Sequence, residues 1–241
     1  MVALLLLLAL PSSAQVVRSI RIYSELQRIG PKGDWVELDR GAKQTAPPRE
    51  ILSPAVARNG YLSLQVAITA DPRTNYFLAV QSNPDKVFDW KLYKARFEKH
   101  ENHWVPGRLT EDRDPFFNIA PDTDASIPGQ TTQVFVLDAF VPESAPVGRV
   151  RLEVLVKSDS WRVAPMEVRI LAAKLPSIEA EPPASLPDIQ SRNRKQLDAL
   201  AASLPVESRE RCFAFREQKP SLGAEWLLKT RDCLFTAASA H

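Results

Sequence analysis

The residues best equipped for chemistry in this chain fall between positions 98 and 129. His100 and His103 stand three apart around Glu101 and Asn102, and Trp104 follows. At that spacing two imidazoles share one face of a helix and can hold a divalent metal ion. The His-Glu-x-x-His spacing of metalloproteases is missing and no third ligand completes a set, so the pair reads as part of a solvated loop and no metal ligand is assigned. Asp112, Asp114, Asp122 and Asp124 cluster in the same stretch. Loop carboxylates suit calcium, a hard cation that takes oxygen ligands, but the spacing departs from an EF-hand and lacks its glycine. Capping of turns by aspartate is the simpler role. The same acids are the candidates for a glycosidase pair, which requires two carboxyl groups at a defined separation. With three histidines in all, the third being His241, no nucleophilic triad assembles. There is no glycine-rich phosphate loop. No catalytic residue and no cofactor is therefore assigned.

Aromatic side chains are the remaining candidates, because an exposed ring can grip a sugar or a partner chain. Trp35, Trp90, Tyr93, Trp104 and Trp161 are available. Trp90 alternates with Phe88 and Leu92 and belongs to a core face. Trp104 and Trp161 sit at loop or strand-edge positions, and Phe116 and Phe117 lie in the polar stretch. These four, Trp104, Phe116, Phe117 and Trp161, are the expected binding residues.

The elements that would position them follow from hydrophobic patterning. Period-two alternation marks extended segments over 16–23, 34–38, 61–70, 76–81 and 87–97, and three more within 131–172. Leu62, Leu64, Val66 and Ile68 take one side of the third segment; Ser63, Gln65 and Thr69 take the other. Val150, Leu152, Val154 and Val156 likewise oppose Arg149, Arg151, Glu153 and Lys157. The turn at 71–74 suggests that 61–70 and 76–81 form a hairpin. Residues 98–129 have weak periodicity and read as one long polar loop. The fold class is mainly β: an antiparallel β-sandwich of about eight strands with a small C-terminal helical tail. Helical composition covers 188–204, with Asp188 as its cap and Pro205 as its stop, then 208–218 capped by Ser208, then 223–235.

Twenty prolines against eight glycines suit an all-β chain, since proline is kept to strand ends and edges. The 241 residues are 44% hydrophobic, enough for a sizeable core. A net charge of +2, from 31 basic and 29 acidic residues, excludes an electrostatic nucleic-acid binder. Residues 3–10 form an apolar run, and Ser12-Ser13-Ala14 supplies small residues for cleavage after Ala14, although no basic residue precedes the run. The run is too short for a transmembrane segment. The expectation is a secreted or periplasmic protein. Two cysteines, Cys212 and Cys233, favour a disulfide in that compartment over two buried thiols. The resulting division is a signal peptide over 1–14, a sandwich domain over 15–175, a proline-rich linker over 176–187 and a helical tail over 188–241.

The run from Val141 to Val154, Val-Pro-Glu-Ser-Ala-Pro-Val-Gly-Arg-Val-Arg-Leu-Glu-Val, has a strand ending at Val-Pro, a Pro-Gly loop and a new strand. With Ile127-Pro128-Gly129 ahead of it, it resembles the immunoglobulin- or fibronectin-like sandwich before the catalytic barrel of bacterial secreted β-N-acetylgalactosaminidase-type glycoside hydrolases. The resemblance covers about 45 residues closely and 49–97 loosely. It implies an accessory sandwich. It carries over no catalytic residue, and no barrel follows residue 172. The leading expectation is thus a non-catalytic exported module that binds a glycan or a protein partner at the cell envelope. The alternatives are a small hydrolase using the 98–129 carboxylates and a structural envelope protein whose sheet edge pairs with another chain. Oligomeric state leaves no signal.

Overall fold

The computed structural model describes residues 16–36, 50–72, 74–113, 120–121, 126–179, 181–214 and 224–240. The expected signal segment, together with Asp114, Phe116, Phe117, Asp122 and Asp124, lies outside them. Among the described residues ten strands occur in order: β1 (Val17–Ser24), β2 (Ala55–Arg58), β3 (Gly60–Ala70), β4 (Asn75–Asn83), β5 (Asp89–His100), β6 (His103–Asp112), β7 (Ala120–Pro121), β8 (Thr132–Val141), β9 (Gly148–Lys157) and β10 (Trp161–Lys174). Three described helices follow: α1 (Leu186–Ser203), α2 (Val206–Phe213) and α3 (Ala224–Ser239). The chain is mainly β, as its alternation implies. One five-stranded sheet runs β1-β3-β8-β5-β6 and the other β2-β10-β9-β4-β7.

The inward side chains of the two sheets form one core. Leu62, Leu64, Val66 and Ile68 of β3 and Phe135, Leu137, Ala139 and Val141 of β8 face Val150, Leu152, Val154 and Val156 of β9 and Met166, Val168 and Ile170 of β10. Each fully buried aliphatic of this kind contributes about 1.5–3 kcal/mol relative to exposure. Trp90 packs against this cluster from a half-buried position.

Three expectations about the strands are corrected. Strands β3 and β4 are not a hairpin: β3 pairs with β1 and β8, whereas β4 pairs with β9 and β7. The turn at 71–74 carries the chain from one sheet to the other, and alternation says which side chains face inward but not which strand is the neighbour. The expected second strand at 34–38 reduces, among the described residues, to one bridge between Ile29 and Trp35, and the actual second strand pairs in parallel with β10. Finally, 98–129 is not one long loop. β5 runs to His100, turns through Glu101 and Asn102, and returns as β6. The register shifts between Ala95 and Phe97, which breaks the period of the paired strands. Pro106 and Gly107, weak strand formers, hid the rest, and proline is tolerated because β6 is an outer strand.

The helical tail packs on the sandwich. α1 begins at Ser185, not at Asp188: the Asp188 amide donates to Ser185 Oγ at 3.3 Å, and Asp188 Oδ2 accepts from the Ala184 amide at 3.0 Å. Asp188 is thus the third helical residue of a capping arrangement, favoured there by the helix dipole. α2 follows Pro205 rather than Ser208. Leu186 and Ile189 join Tyr23, Tyr93, Val134 and Val136 on the outer face of the first sheet. Leu200, Leu204, Leu234 and Phe235 join Ala55, Ala57, Ala173 and Leu175 at one end of the second. Cys212 and Cys233 form the expected disulfide, with Cα atoms 5.5 Å apart, which ties α2 to α3.

Candidate binding face

Of the four expected binding residues, the structure places two, on different sheets. Trp104 opens β6 at the end of the β5–β6 hairpin, opposite Lys99, and is half-buried. Trp161 opens β10 and is 53% exposed. Tyr93, an aromatic candidate from sequence, is 3% exposed and belongs to the packing beneath α1. Trp35 is likewise packed against that cluster. Both rings sit where a strand feeds a covered sheet face, so the apolar layer claims them.

The surroundings of Trp161 follow from register. Trp161 lies opposite Lys157 of β9, and Lys157 lies opposite Phe77 of β4. Directly paired residues share a face, so Phe77, Lys157 and Trp161 form a row across three strands. The next row is Ala79, Leu155 and Val163. The Phe77 ring meets the indole edge-on, with centroids 6.1 Å apart and planes at 89°. The Lys157 ammonium sits 5.6 Å from the indole centroid, a cation–π contact. Val163 is 47% exposed. The cluster beneath α3 takes Leu171, Ala173 and Leu175 from the other end of β10, so among the described residues these two rows stay outside every buried cluster.

Charge borders this apolar strip. In the third row Gln81 Nε2 donates to Glu153 Oε2 at 2.6 Å, and Arg151 stands 2.5 Å from the other oxygen. The Gln81 hydrogen bond first, and then Arg151, hold the Glu153 carboxyl below its usual range. Arg149 pairs with Glu167 one row further. At the hairpin turn Asp159 accepts from Ser158 Oγ at 2.9 Å and from the Ser160 amide at 2.8 Å. These bonds, Ser158 foremost, keep it ionised to lower pH than an ordinary aspartate. The face offers a flat aromatic and aliphatic surface, one lysine and a polar border. It has no nucleophile–base pair.

A second polar region went unseen in the sequence. Ser63, Gln65 and Asp138 alternate with the core residues of β3 and β8 and look solvent-facing, yet they are 1%, 0% and 6% exposed. Arg192 of α1, itself 8% exposed, reaches Asp138 with both terminal nitrogens, at 2.8 and 2.6 Å. Ser63 Oγ donates to the same carboxylate at 2.6 Å, and the Tyr61 ring lies 3.5 Å from the guanidinium carbon. Glu25 is buried beside it. Its carboxylate accepts from Ser24 Oγ at 2.8 Å and lies 3.3 Å from Arg231 of α3. Burial, and then Asp138, push the neighbouring Tyr93 hydroxyl up to about 12. Every strong charge here already has its counter-charge, so the region is a seam that fastens the tail and offers no free catalytic group. Arg192 falls three residues after Ile189 and eight before Leu200, on the helix stripe; that position was the available signal.

The carboxylates of the expected hydrolase alternative that can be placed lie on the β5–β6 hairpin. Glu98 is 3.9 Å from Arg108, and Glu111 is 3.6 Å from Lys91. Among the described residues no three His, Cys, Asp or Glu side chains are grouped to hold a metal ion. No described helix is long and apolar enough to cross a membrane.

No protein-family model matches the sequence, and no curated protein matches it. Solved structures similar in part include a family 123 glycoside hydrolase from Clostridium perfringens, studied for glycolipid glycan hydrolysis, at 10% identity and a TM-score of 0.42 over 66% of this chain. The chain spans 28% of that enzyme's length. The SrpA adhesin of Streptococcus sanguinis is similar at 11% identity and a TM-score of 0.32, over 68% of this chain and 82% of that one. A type I cohesin of ScaB from Pseudobacteroides cellulosolvens is similar at 10% identity and a TM-score of 0.23, over 55% of this chain and 96% of its own.

Proposed function

We propose that this chain is a non-catalytic exported β-sandwich module that binds a glycan or protein partner at the cell envelope, with the outer face of the second sheet around Trp161 as its contact surface. The observation that carries the reading is the row of half-buried Phe77 and exposed Lys157 and Trp161, held on three paired strands and outside the buried clusters of the described residues. An indole fixed by an edge-on neighbour loses little freedom when a ligand stacks on it, which favours binding. The Val-Pro turn segment from Val141 to Val154 supports the accessory form of the proposal, in which the module serves beside a catalytic barrel without acting itself. The disulfide suits an oxidising compartment and so supports export.

The test is a glycan array and an envelope pull-down with the wild-type chain and Trp161→Ala. Binding that falls about tenfold or more, with an unchanged melting temperature, sustains the proposal; one stacked aromatic is worth that much or more. Partner binding indifferent to Trp161→Ala and Phe77→Ala together overturns it.

A further inference from the structure

The sequence reads His100 and His103 as part of a solvated loop, and the structure places them on paired strands instead. They are the last directly opposed pair of the β5–β6 hairpin, joined by the two-residue turn of Glu101 and Asn102, with Glu101 at φ +53°. Opposed residues in an antiparallel pair project to the same side with β-carbons about 4.5–5.5 Å apart. Two imidazoles carried at that spacing reach one ion together. Both histidines are exposed. Two residues back on the same face of β5 is Glu98, whose carboxylate lies 3.9 Å from Arg108.

We infer that His100 and His103 form a cross-strand bis-imidazole site for a divalent transition-metal ion, with copper(II) bound most tightly and zinc(II) after it. The order follows from imidazole as a borderline donor and from the intrinsic ranking of first-row divalent ions. Two protein nitrogens leave the ion's remaining positions to water, or to Glu98 after it turns from Arg108. Such a site is open to solvent on its remaining positions. The hairpin, not a packed core, positions the donors. Metal binding there is therefore separate from the contact face on the other sheet, and either can exist without the other.

The experiment is calorimetric titration of the full, untagged chain with copper(II) and with zinc(II), together with electron paramagnetic resonance of the copper form. Wild type, His100→Ala, His103→Ala and His241→Ala are compared. One ion per chain is expected. Each of the first two substitutions should weaken binding by about tenfold or more, since loss of even an outer-shell partner costs that much. His241→Ala should leave it unchanged, and the copper spectrum should carry nitrogen hyperfine structure from two imidazoles that is reduced to that of one in either hairpin variant. The site lies at the tip of an exposed turn, so unchanged far-ultraviolet circular dichroism in both variants is expected. If the two hairpin variants bind copper as the wild type does, or if His241→Ala abolishes binding, the inference is wrong.

Discussion

Two faces of the same sandwich treat polarity in opposite ways. On the outer side of the first sheet, polar residues are buried and charges are paired: Arg192 on Asp138, Arg231 on Glu25, and Gln65 Nε2 donating to the Ser24 carbonyl at 2.7 Å, with Gln65 Oε1 and Arg231 Nε left without a hydrogen-bond partner among the described residues. On the outer side of the second, Trp161 and Val163 are exposed, and Phe77 and Leu155 are half-buried beside them. The first arrangement is a packing problem solved by pairing opposite charges, which a buried ion pair needs if it is to be tolerated. The second is left open among the described residues. An indole kept exposed costs stability that a further helix could have recovered, and that contrast is why the open face, not the charged seam, is the candidate for recognition.

The contrast is sharpest where it can be broken. Replacing Arg192 with Ala strands Asp138 beneath α1, and the expected loss is about 3–5 kcal/mol, read from urea or thermal unfolding. A paired Arg192→Met and Asp138→Leu variant should recover much of that loss; if the single substitution costs under about 1 kcal/mol, the seam is not closed as described. Next in size, removal of the Cys212–Cys233 bridge, which spans 21 residues, should cost about 3 kcal/mol. Unfolding of Cys212→Ala/Cys233→Ala measures it, and treatment with reductant should lower wild-type stability to the level of the variant.

Smaller still is the alkaline effect of Tyr93. Its hydroxyl titrates at about 12 in the folded chain and at about 10 when unfolded, so the folded form holds the proton more tightly. The contribution is complete below about pH 10 and declines as pH rises toward 12, by on the order of 1–2 kcal/mol. Tyr93→Phe should flatten that decline; an unchanged slope would assign it to another group. The smallest effect belongs to the open face. Trp161→Ala should shift stability by no more than about 0.5 kcal/mol, the usual range for surface substitutions, while binding suffers. A melting temperature that collapses would make the indole a structural residue.

The core was legible from residues alone because alternation encodes burial. Leu62 to Ile68 and Val150 to Val156 face inward as their period implies. What alternation omits is the company each strand keeps. The polar phase of β3 and β8 reads as solvated, and only the docking of α1 shows that Ser63 and Asp138 are covered. β6 was hidden because a register shift, a proline and a glycine erase the period that would announce it. At the candidate face, Trp161 was legible from its place after a turn. Phe77 carried a weaker signal: it falls out of phase with Tyr76, Leu78 and Val80, which are the inward residues of β4. Lys157 was visible as an outward residue, but its position between two rings is a matter of register across three strands, which no single strand encodes.

The outer strand of the first sheet also bears on how copies of this chain treat one another. An unpaired strand edge is an invitation to add a foreign strand. Along β6 that invitation is withdrawn twice. Pro106 has no amide hydrogen to offer, and further along, the Leu109 amide is already engaged by the Ala184 carbonyl at 2.8 Å while Arg108 bridges Ser185. A newcomer finds too few consecutive hydrogen-bonding positions to zip onto, so the β6 border discourages fibre-like stacking of one molecule on the next.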